Sequence, residues 1–375
     1  LTVERRLKVL QVYRTFFPDT QGGAEETIRQ IAVGISKLDC ECRIFVPSFD
    51  PTPEELLVSN IPVIRKKMHF EIASCGFALG SLREFRRQVE WADVVHYHFP
   101  WPFADLLDWV ADVKKPKVVT YHSDIVRQKS LMRLYRPLMM SFLSSAVRVV
   151  ATSEQYASSS SVLHQLDNVE VIPIGVDEIS YPQPSDQMRS AMSEKYGTGY
   201  FFFVGMLRYY KGLHILLEAC VGADFQVVIA GVGPEEAALR RQAERLELDN
   251  VVFIGRVDDS EKMALIDNSI GLVFPSHLRS EAFGVTLVEG LMRSKPLITA
   301  EVGTGTSFVN ANGETGYVVE PKNSKALREA MNKLNDESVA SALGRNGRTR
   351  YESLLTAELM ARSYRNLYNK LTSPA

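Results

Sequence analysis

Covalent and metallic cross-links are scarce in this sequence. Its 375 residues include four cysteines (Cys40, Cys42, Cys75 and Cys220), none in the paired C-x-x-C spacing of a zinc site. So few thiols in a long chain fit a reducing compartment, and a cytoplasmic location is expected. No apolar run reaches the ~18–20 residues needed to span a bilayer, and the opening Leu-Thr-Val-Glu-Arg-Arg-Leu-Lys leads into a strand instead of a signal-peptide core. The chain is expected to be soluble, or at most attached to a membrane surface. A dominant charge is missing too: 43 basic and 45 acidic side chains leave a formal −2, which argues against a general nucleic-acid binder. Also absent is the full G-x-G-x-x-G fingerprint with an acid ~20 residues further on, which a nicotinamide-dependent oxidoreductase or a sugar-nucleotide epimerase would need. The nearest candidate, Gly303-Thr304-Gly305, has Phe308 where the third glycine would stand.

What the chain does have is length and rhythm. A single core stops growing near ~250–300 residues, so two domains are expected. With 45% hydrophobic and 23% charged residues, both should be ordinary globular domains. Short apolar runs alternate with amphipathic stretches, the pattern of an α/β fold whose parallel sheet is covered by helices. Strands are read at 7–13, 43–46, 61–64, 94–97, 117–121, 148–151 and 169–172. A second series follows at 201–204, 226–230, 251–254, 271–274, 296–299 and 316–319. Between them, residues 177–193 contain Ser180, Pro182, Pro184 and Ser185 and are read as the linker. Two Rossmann-like domains in tandem are implied, residues 1–185 and 186–350. Such sheets bind ligands at the carboxyl ends of their strands, so two of them facing each other would enclose a cleft.

The glycine-rich turns after strands are therefore the places to look. Gly22-Gly23-Ala24-Glu25-Glu26 opens a helix, where free N–H groups suit an anion such as a diphosphate; a tight turn needing glycine for geometry alone is the other reading. Gly205-Met206-Leu207-Arg208-Tyr209-Tyr210-Lys211-Gly212 puts Arg208 and Lys211 after a strand, either as solvated charges or as cations for a phosphate leaving group. Gly231-Val232-Gly233 and Gly255-Arg256-Val257 repeat the theme and could admit a base and ribose. The strongest constellation runs from Pro275 to Gly290. Glu281 lies in a loop before Phe283 and Gly284, whose amides could join it in holding sugar hydroxyls. Glu289 follows eight positions later between Val288 and Leu291, and a carboxylate in so apolar a helix wants a partner such as a ribose hydroxyl.

Glu281-x7-Glu289, Gly205 with Lys211, Gly22-Gly23 and His122 together resemble the retaining family 4 glycosyltransferases of GT-B fold, over nearly the whole chain. Within that family, Gly303–Ser307, the segment His122–Gln128 and His98-x-Pro100-x-Pro102 look like bacterial polysaccharide mannosyltransferases that use GDP-mannose. The resemblance implies that Lys211 binds the donor diphosphate and helps it depart, that Glu281 holds the donor sugar, and that Glu289 holds the ribose. It also implies that Gly231, Gly233, Arg256 and Val257 frame the nucleotide, that Gly303–Ser307 lies beside the sugar or phosphate, and that His122 lies near the reacting sugar carbon. No resident cofactor is implied, because the nucleotide sugar is a substrate. No D-x-D occurs, in keeping with neutralisation by lysine and helix dipoles instead of a metal. One departure is Met206, where family members commonly carry arginine; Arg208 is the candidate substitute, and a non-catalytic nucleotide-sugar binder stays open.

The first half is expected to serve the acceptor, a lipid-linked glycan. Apart from the family, His122 reads as a satisfied structural residue. His96 and His98 flank Tyr97 and are expected to point to opposite faces, with His98 on the ligand side. Between residues 125 and 153, Arg127, Lys129, Arg133, Arg136 and Arg148 carry five positive charges with no acid. Interleaved Leu131, Met132, Leu134, Leu138, Met139, Met140 and Phe142 make this either a surface for anionic lipid or a core-facing helix with a solvated basic side. Arg65-Lys66-Lys67 is a second basic cluster. The last helix, 356–371, is expected to cross back onto the first domain.

Overall fold

Central strands of a parallel sheet are buried on both faces and so consist of unbroken apolar runs. The computed structural model describes residues 5–72, 75–125 and 129–372, with backbone alone over 129–131. It divides into two compact units, Leu1–Gly175 with Ala357–Ala375, and Val176–Thr356. Unit 1 runs β1 (Leu7–Val12), α1 (Gly23–Ser36), β2 (Cys40–Ser48), β3 (Glu55–Val58), β4 (Ile61–Lys67), β5 (Phe70–Ile72), β6 (Cys75–Phe77), α2 (Leu82–Trp91) and β7 (Val94–Phe99). It continues through α3 (Pro102–Ala111), β8 (Lys117–Tyr121), α4 (Lys129–Ser145), β9 (Arg148–Ala151), α5 (Glu154–Ser159) and β10 (Val169–Val171). Its main sheet has the order β10-β9-β8-β7-β1-β2-β4-β3, parallel except for β3 against β4.

Unit 2 comprises α6 (Asp186–Tyr196), β11 (Tyr200–Val204), α7 (Leu213–Cys220), β12 (Val227–Ala230), α8 (Glu236–Arg245), β13 (Val251–Gly255), α9 (Asp259–Asn268) and β14 (Ser269–Phe274). Then come α10 (Val285–Met292), β15 (Leu297–Ala300), α11 (Gly305–Val309), β16 (Gly316–Val319), α12 (Ser324–Leu334) and α13 (Glu337–Leu354). The sheet order β13-β12-β11-β14-β15-β16 is that of a Rossmann domain: strands are added on one side of β11, then on the other. Unit 1 does the same around β1, with β7 on the far side.

The last helix, α14 (Ala357–Thr372), belongs to unit 1. It lies so close to α1 that a Cβ on Gly34 would sit 2.6 Å from the Ala361 side chain, and Arg365 Nε donates to the Leu38 carbonyl at 3.0 Å. The segment 177–193, expected as a linker, is instead built into unit 2. Val176 bridges to Thr356, and Ser185 caps α6 by accepting from the Met188 N–H at 3.1 Å. Proline and serine there mark a helix start and not a free connection.

Two of the three charges in the basic cluster at 65–67 are neutralised by acids. Arg65 is buried and pairs with Asp19 at 2.7 Å, Lys66 with Glu54 at 2.8 Å, and Lys67 Nζ donates to the Phe49 carbonyl at 2.7 Å. On α4, Met139, Phe142 and Leu143 are buried, so part of its apolar face turns inward, while Leu134 stays 83% exposed. No helix among the described residues is long and apolar enough to cross a membrane.

Candidate active site

In unit 2 the strand order reverses between β11 and β14, and open α/β sheets bind ligands outside the carboxyl ends of the strands at such a point. The loops leaving those two strands touch. Gly212 takes φ +72°, and a Cβ there would lie 2.1 Å from the Pro275 carbonyl oxygen, so only glycine permits the contact. The loops after β11 and β12 are equally close: a Cβ on Gly231 would be 2.0 Å from the Gly205 oxygen, and one on Gly233 2.4 Å from that of Leu207. The glycine turns singled out in the sequence thus let several loops crowd one end of the sheet.

Lys211, at the end of the β11 loop, forms an ion pair with Glu281 from the β14 loop, and both side chains are largely buried. Burial works against the lysine's charge, but the Glu281 carboxylate and Tyr210 outweigh it and hold its pKa above the ordinary value. Ser276 Oγ donates to the same Glu281 oxygen at 3.1 Å, and Thr304 Oγ1 donates to the Glu281 carbonyl at 2.7 Å. That last bond, with Gly305 N–H to the Ala282 carbonyl at 2.7 Å, draws the Gly303–Ser307 turn against the Glu281 loop. Arg279 Nη1 reinforces it through the Gly303 carbonyl at 2.8 Å. Phe283 is buried, and Gly284, at φ +86°, caps α10. Arg208 is exposed, with its Nε 3.0 Å from the Met206 sulfur. It is near enough to Lys211 for its charge to act on the lysine.

Glu289 is buried on α10, as its apolar neighbours suggested. Its partner is Lys262 of α9, with Nζ 2.9 Å from Oε1 and 3.0 Å from Asp259. The second oxygen, Oε2, is buried without a partner among the described residues, and as a carboxylate oxygen it is an acceptor suited to a hydroxyl donor. Sequence reasoning missed Lys262, which reads as one more charge on a polar helix. Its replacement by methionine should lower the unfolding free energy of unit 2 by about 3 kcal/mol, because the Glu289 charge is left buried and unpaired. Urea denaturation measures this, and an unshifted midpoint would refute the assignment. Arg256 is exposed and Val257 half-buried in the turn after β13.

In unit 1, Gly22 is extended (φ −169°), so its glycine answers to space: a Cβ would lie 2.7 Å from Glu25 Oε2. Glu25's own carboxylate thus lies against the turn where Gly22 and Gly23 were expected to receive an anion, and Thr20 Oγ1 donates to it at 2.8 Å. His122 follows β8 and is buried, with Nε2 2.9 Å from His98 Nδ1. The expectation that His96 and His98 face opposite sides is wrong. Residues two apart on a strand share a face, and the two rings lie 4.4 Å apart by centroid. His96 turns to Thr120 Oγ1 and the Tyr368 hydroxyl of α14, each at 2.7 Å, while His98 is fully buried behind His122. Burial and then His122 push the pKa of His96 down to about 3. Burial and then Arg14 do the same to His122, also to about 3. Arg127 lies outside the described residues.

Two family models match the chain, "Glycosyltransferase Family 4" over residues 21–178 and "Glycosyl transferases group 1" over residues 185–350. The chain is 47% identical to the D-rhamnosyltransferase WbpZ of Pseudomonas aeruginosa over 94% of its own length and 93% of that protein's. It is 44% identical to the O-antigen chain mannosyltransferase C of Escherichia coli, over 97% and 99% respectively. Sucrose-phosphate synthase from Thermosynechococcus elongatus shares the fold, with a TM-score of 0.78 at 21% identity over 98% of this chain and 99% of that one. Both units are Rossmann-like, as in the GT-B architecture of such neighbours. With relatives this similar along nearly its full length, the chain belongs to the family 4 glycosyltransferases.

Proposed function

We propose that the protein transfers mannose from GDP-mannose to a hydroxyl of a lipid-linked glycan, with retention of anomeric configuration and without a metal, in the assembly of a bacterial O-antigen. The observation that carries this reading is the Lys211–Glu281 pair, a cation suited to a diphosphate held against a carboxylate suited to sugar hydroxyls. The bond from the anomeric carbon to the diphosphate oxygen breaks, and a bond to the acceptor oxygen forms. Lys211, with Arg208 nearby, neutralises the departing diphosphate, and Glu281 orients the sugar. The diphosphate takes the acceptor's proton, so no protein base is required. Glu289 Oε2 accepts from a ribose hydroxyl. The acceptor side belongs to unit 1, where exposed Trp109 of α3 and Leu134 of α4, with Arg133 and Arg136, offer a surface for anionic lipid on the cytoplasmic side.

A second donor is favoured by one comparison: the relative at 47% identity is a D-rhamnosyltransferase. D-rhamnose is mannose without its 6-hydroxyl, so the two readings differ by one polar contact. A site built to bond that hydroxyl rejects the deoxy sugar strongly, whereas an apolar site discriminates by only about 10²-fold. The test supplies GDP-mannose, GDP-rhamnose and UDP-hexoses in turn with a lipid-linked acceptor, in anionic vesicles and in detergent, with and without EDTA. Transfer of mannose, unaffected by EDTA and faster on vesicles, is expected. Rhamnose as the better donor would replace the first reading by the second. GDP binding without transfer from any donor would leave a nucleotide-sugar binder.

A further inference from the structure

A buried hydrogen-bond chain crosses four neighbouring strands of unit 1, from Cys42 on β2 through Gln11 on β1 and His98 on β7 to His122 after β8. Every proton along it can be assigned. The Cys42 thiol, kept protonated by burial that pushes its pKa up to about 12, points its S–H at the Arg43 carbonyl, 3.9 Å away. Its sulfur is therefore left to accept, and it does so from Gln11 Nε2 at 3.3 Å. This turns Gln11 Oε1 toward His98 Nε2, at 2.9 Å. A carbonyl oxygen only accepts, so His98 Nε2 carries a hydrogen. His98 is 1% exposed, and burial, with His96 and His122 close by, keeps it neutral, so its Nδ1 is bare. The 2.9 Å contact between His98 Nδ1 and His122 Nε2 then requires the hydrogen on His122. Since His122 is itself neutral, its Nδ1 is a bare lone pair, and among the described residues the ring makes no other hydrogen bond.

We propose that Gln11 and His98 are positioning residues that lock His122 in the Nε2–H tautomer, so that His122 Nδ1 accepts a hydrogen bond from a sugar hydroxyl of the substrate. The hydroxyl contact rests on the transferase reading above; the tautomer lock does not. The direction of the whole chain is set at Gln11. Exchanging its oxygen and nitrogen would present N–H to His98, reverse both histidines, and leave His122 with a donor at Nδ1 where an acceptor had been. Gln11 itself stands out once the strand is known to be central, being a fully buried amide within the apolar run of β1.

The test is long-range proton–nitrogen correlation NMR on the full chain labelled at histidine, with His122→Gln identifying the resonances. The wild type should show His122 protonated at Nε2 and bare at Nδ1. Gln11→Leu should give a mixture of tautomers and lower kcat about 10- to 100-fold, the scale of losing the group that orients a functional histidine, with the Kd for GDP unchanged. An Nδ1–H form in the wild type, which needs no variant to detect, would overturn the lock. So would a Gln11→Leu spectrum identical to wild type. A tautomer mixture in Gln11→Leu with full kcat would overturn the hydroxyl contact while leaving the lock intact. Absence of transfer by the wild type from any donor would count against the transferase reading and not against the lock.

Discussion

Lys211→Ala should lower kcat about 10²- to 10³-fold, the scale on which loss of one preorganised charge stabiliser is felt at a departing oxyanion. Affinity for the nucleoside should barely change. The ion pair with Glu281 adds a complication that the experiment can use. Both side chains are largely buried, so the alanine variant strands a carboxylate whose remaining side-chain partner is Ser276. Breaking such a pair costs about 3–5 kcal/mol of stability, enough to be mistaken for a loss of activity through misfolding. The double variant Lys211→Ala/Glu281→Gln removes the stranded charge and should recover most of the stability without recovering turnover. Steady-state kinetics and urea denaturation on the three variants, including Glu281→Gln alone, separate the roles. If kcat holds and only KM rises, Lys211 supplies uniform binding and the leaving-group role fails. If the double variant regains turnover with stability, the pair is structural.

Acid should unfold unit 1 well before it would unfold a protein lacking its histidine cluster. The linkage has a definite sign. His96 and His122 are held down to about 3 and His98 well below its ordinary value, burial being the first cause in each case. As pH falls below about 6.5, the unfolded chain gains three protons that the folded unit refuses, and each is worth about 1.4 kcal/mol per pH unit. Asp105 acts in the opposite direction. Burial raises its pKa to about 8, so between about 4 and 8 the folded form holds a proton that the unfolded chain has lost. Stability from Asp105 therefore grows as pH falls, offsetting one of the three histidines. The net is two protons, or about 3 kcal/mol lost per pH unit between about 6 and 4. Since domains are commonly stable by only 5–15 kcal/mol, such a slope brings unit 1 close to unfolding near pH 4. Denaturant midpoints at pH 7, 6 and 5, followed by hydrogen exchange within unit 1, measure this. His96→Asn, at a residue that makes no direct contact in the proposed chemistry, should flatten the slope by about one proton. A stability independent of pH over that range would show that the cluster is charged or hydrated in the folded state.

The sheet strands were legible because a parallel core leaves little choice. Runs such as Val227-Val228-Ile229-Ala230 have both faces buried. The strands that escaped notice lie outside the parallel core: β3 is an antiparallel edge, half-exposed along its length, β5 is exposed at every residue, and its antiparallel partner β6 is only three residues long although Cys75 and Gly76 are buried. Lys211 and Glu281 were legible because glycine turns flag the strand ends that carry them. Lys262 was not, because a surface lysine and a buried partner of Glu289 look alike until α9 is laid against α10. The arginine and lysines at 65–67 misled for the same reason, since their partners Asp19, Glu54 and Phe49 are close only in the folded unit. With His96 and His98 the period-two alternation of a strand had been misapplied, and correcting it turns two unrelated histidines into one cluster.

The return of α14 to unit 1 affects the order in which the chain can mature. Synthesis proceeds from the amino end, so all of unit 2 leaves the ribosome before Tyr364 and Tyr368 do. Until then Thr120 and His96 lack the hydroxyls that meet them at 2.7 Å, and α1 lacks the helix that covers Gly34. Unit 2 is complete once Thr356 has emerged and can fold on its own contacts. Unit 1, although its first 175 residues are made earliest, is finished last. Unit 1 thus cannot mature until the whole of unit 2 has been synthesised.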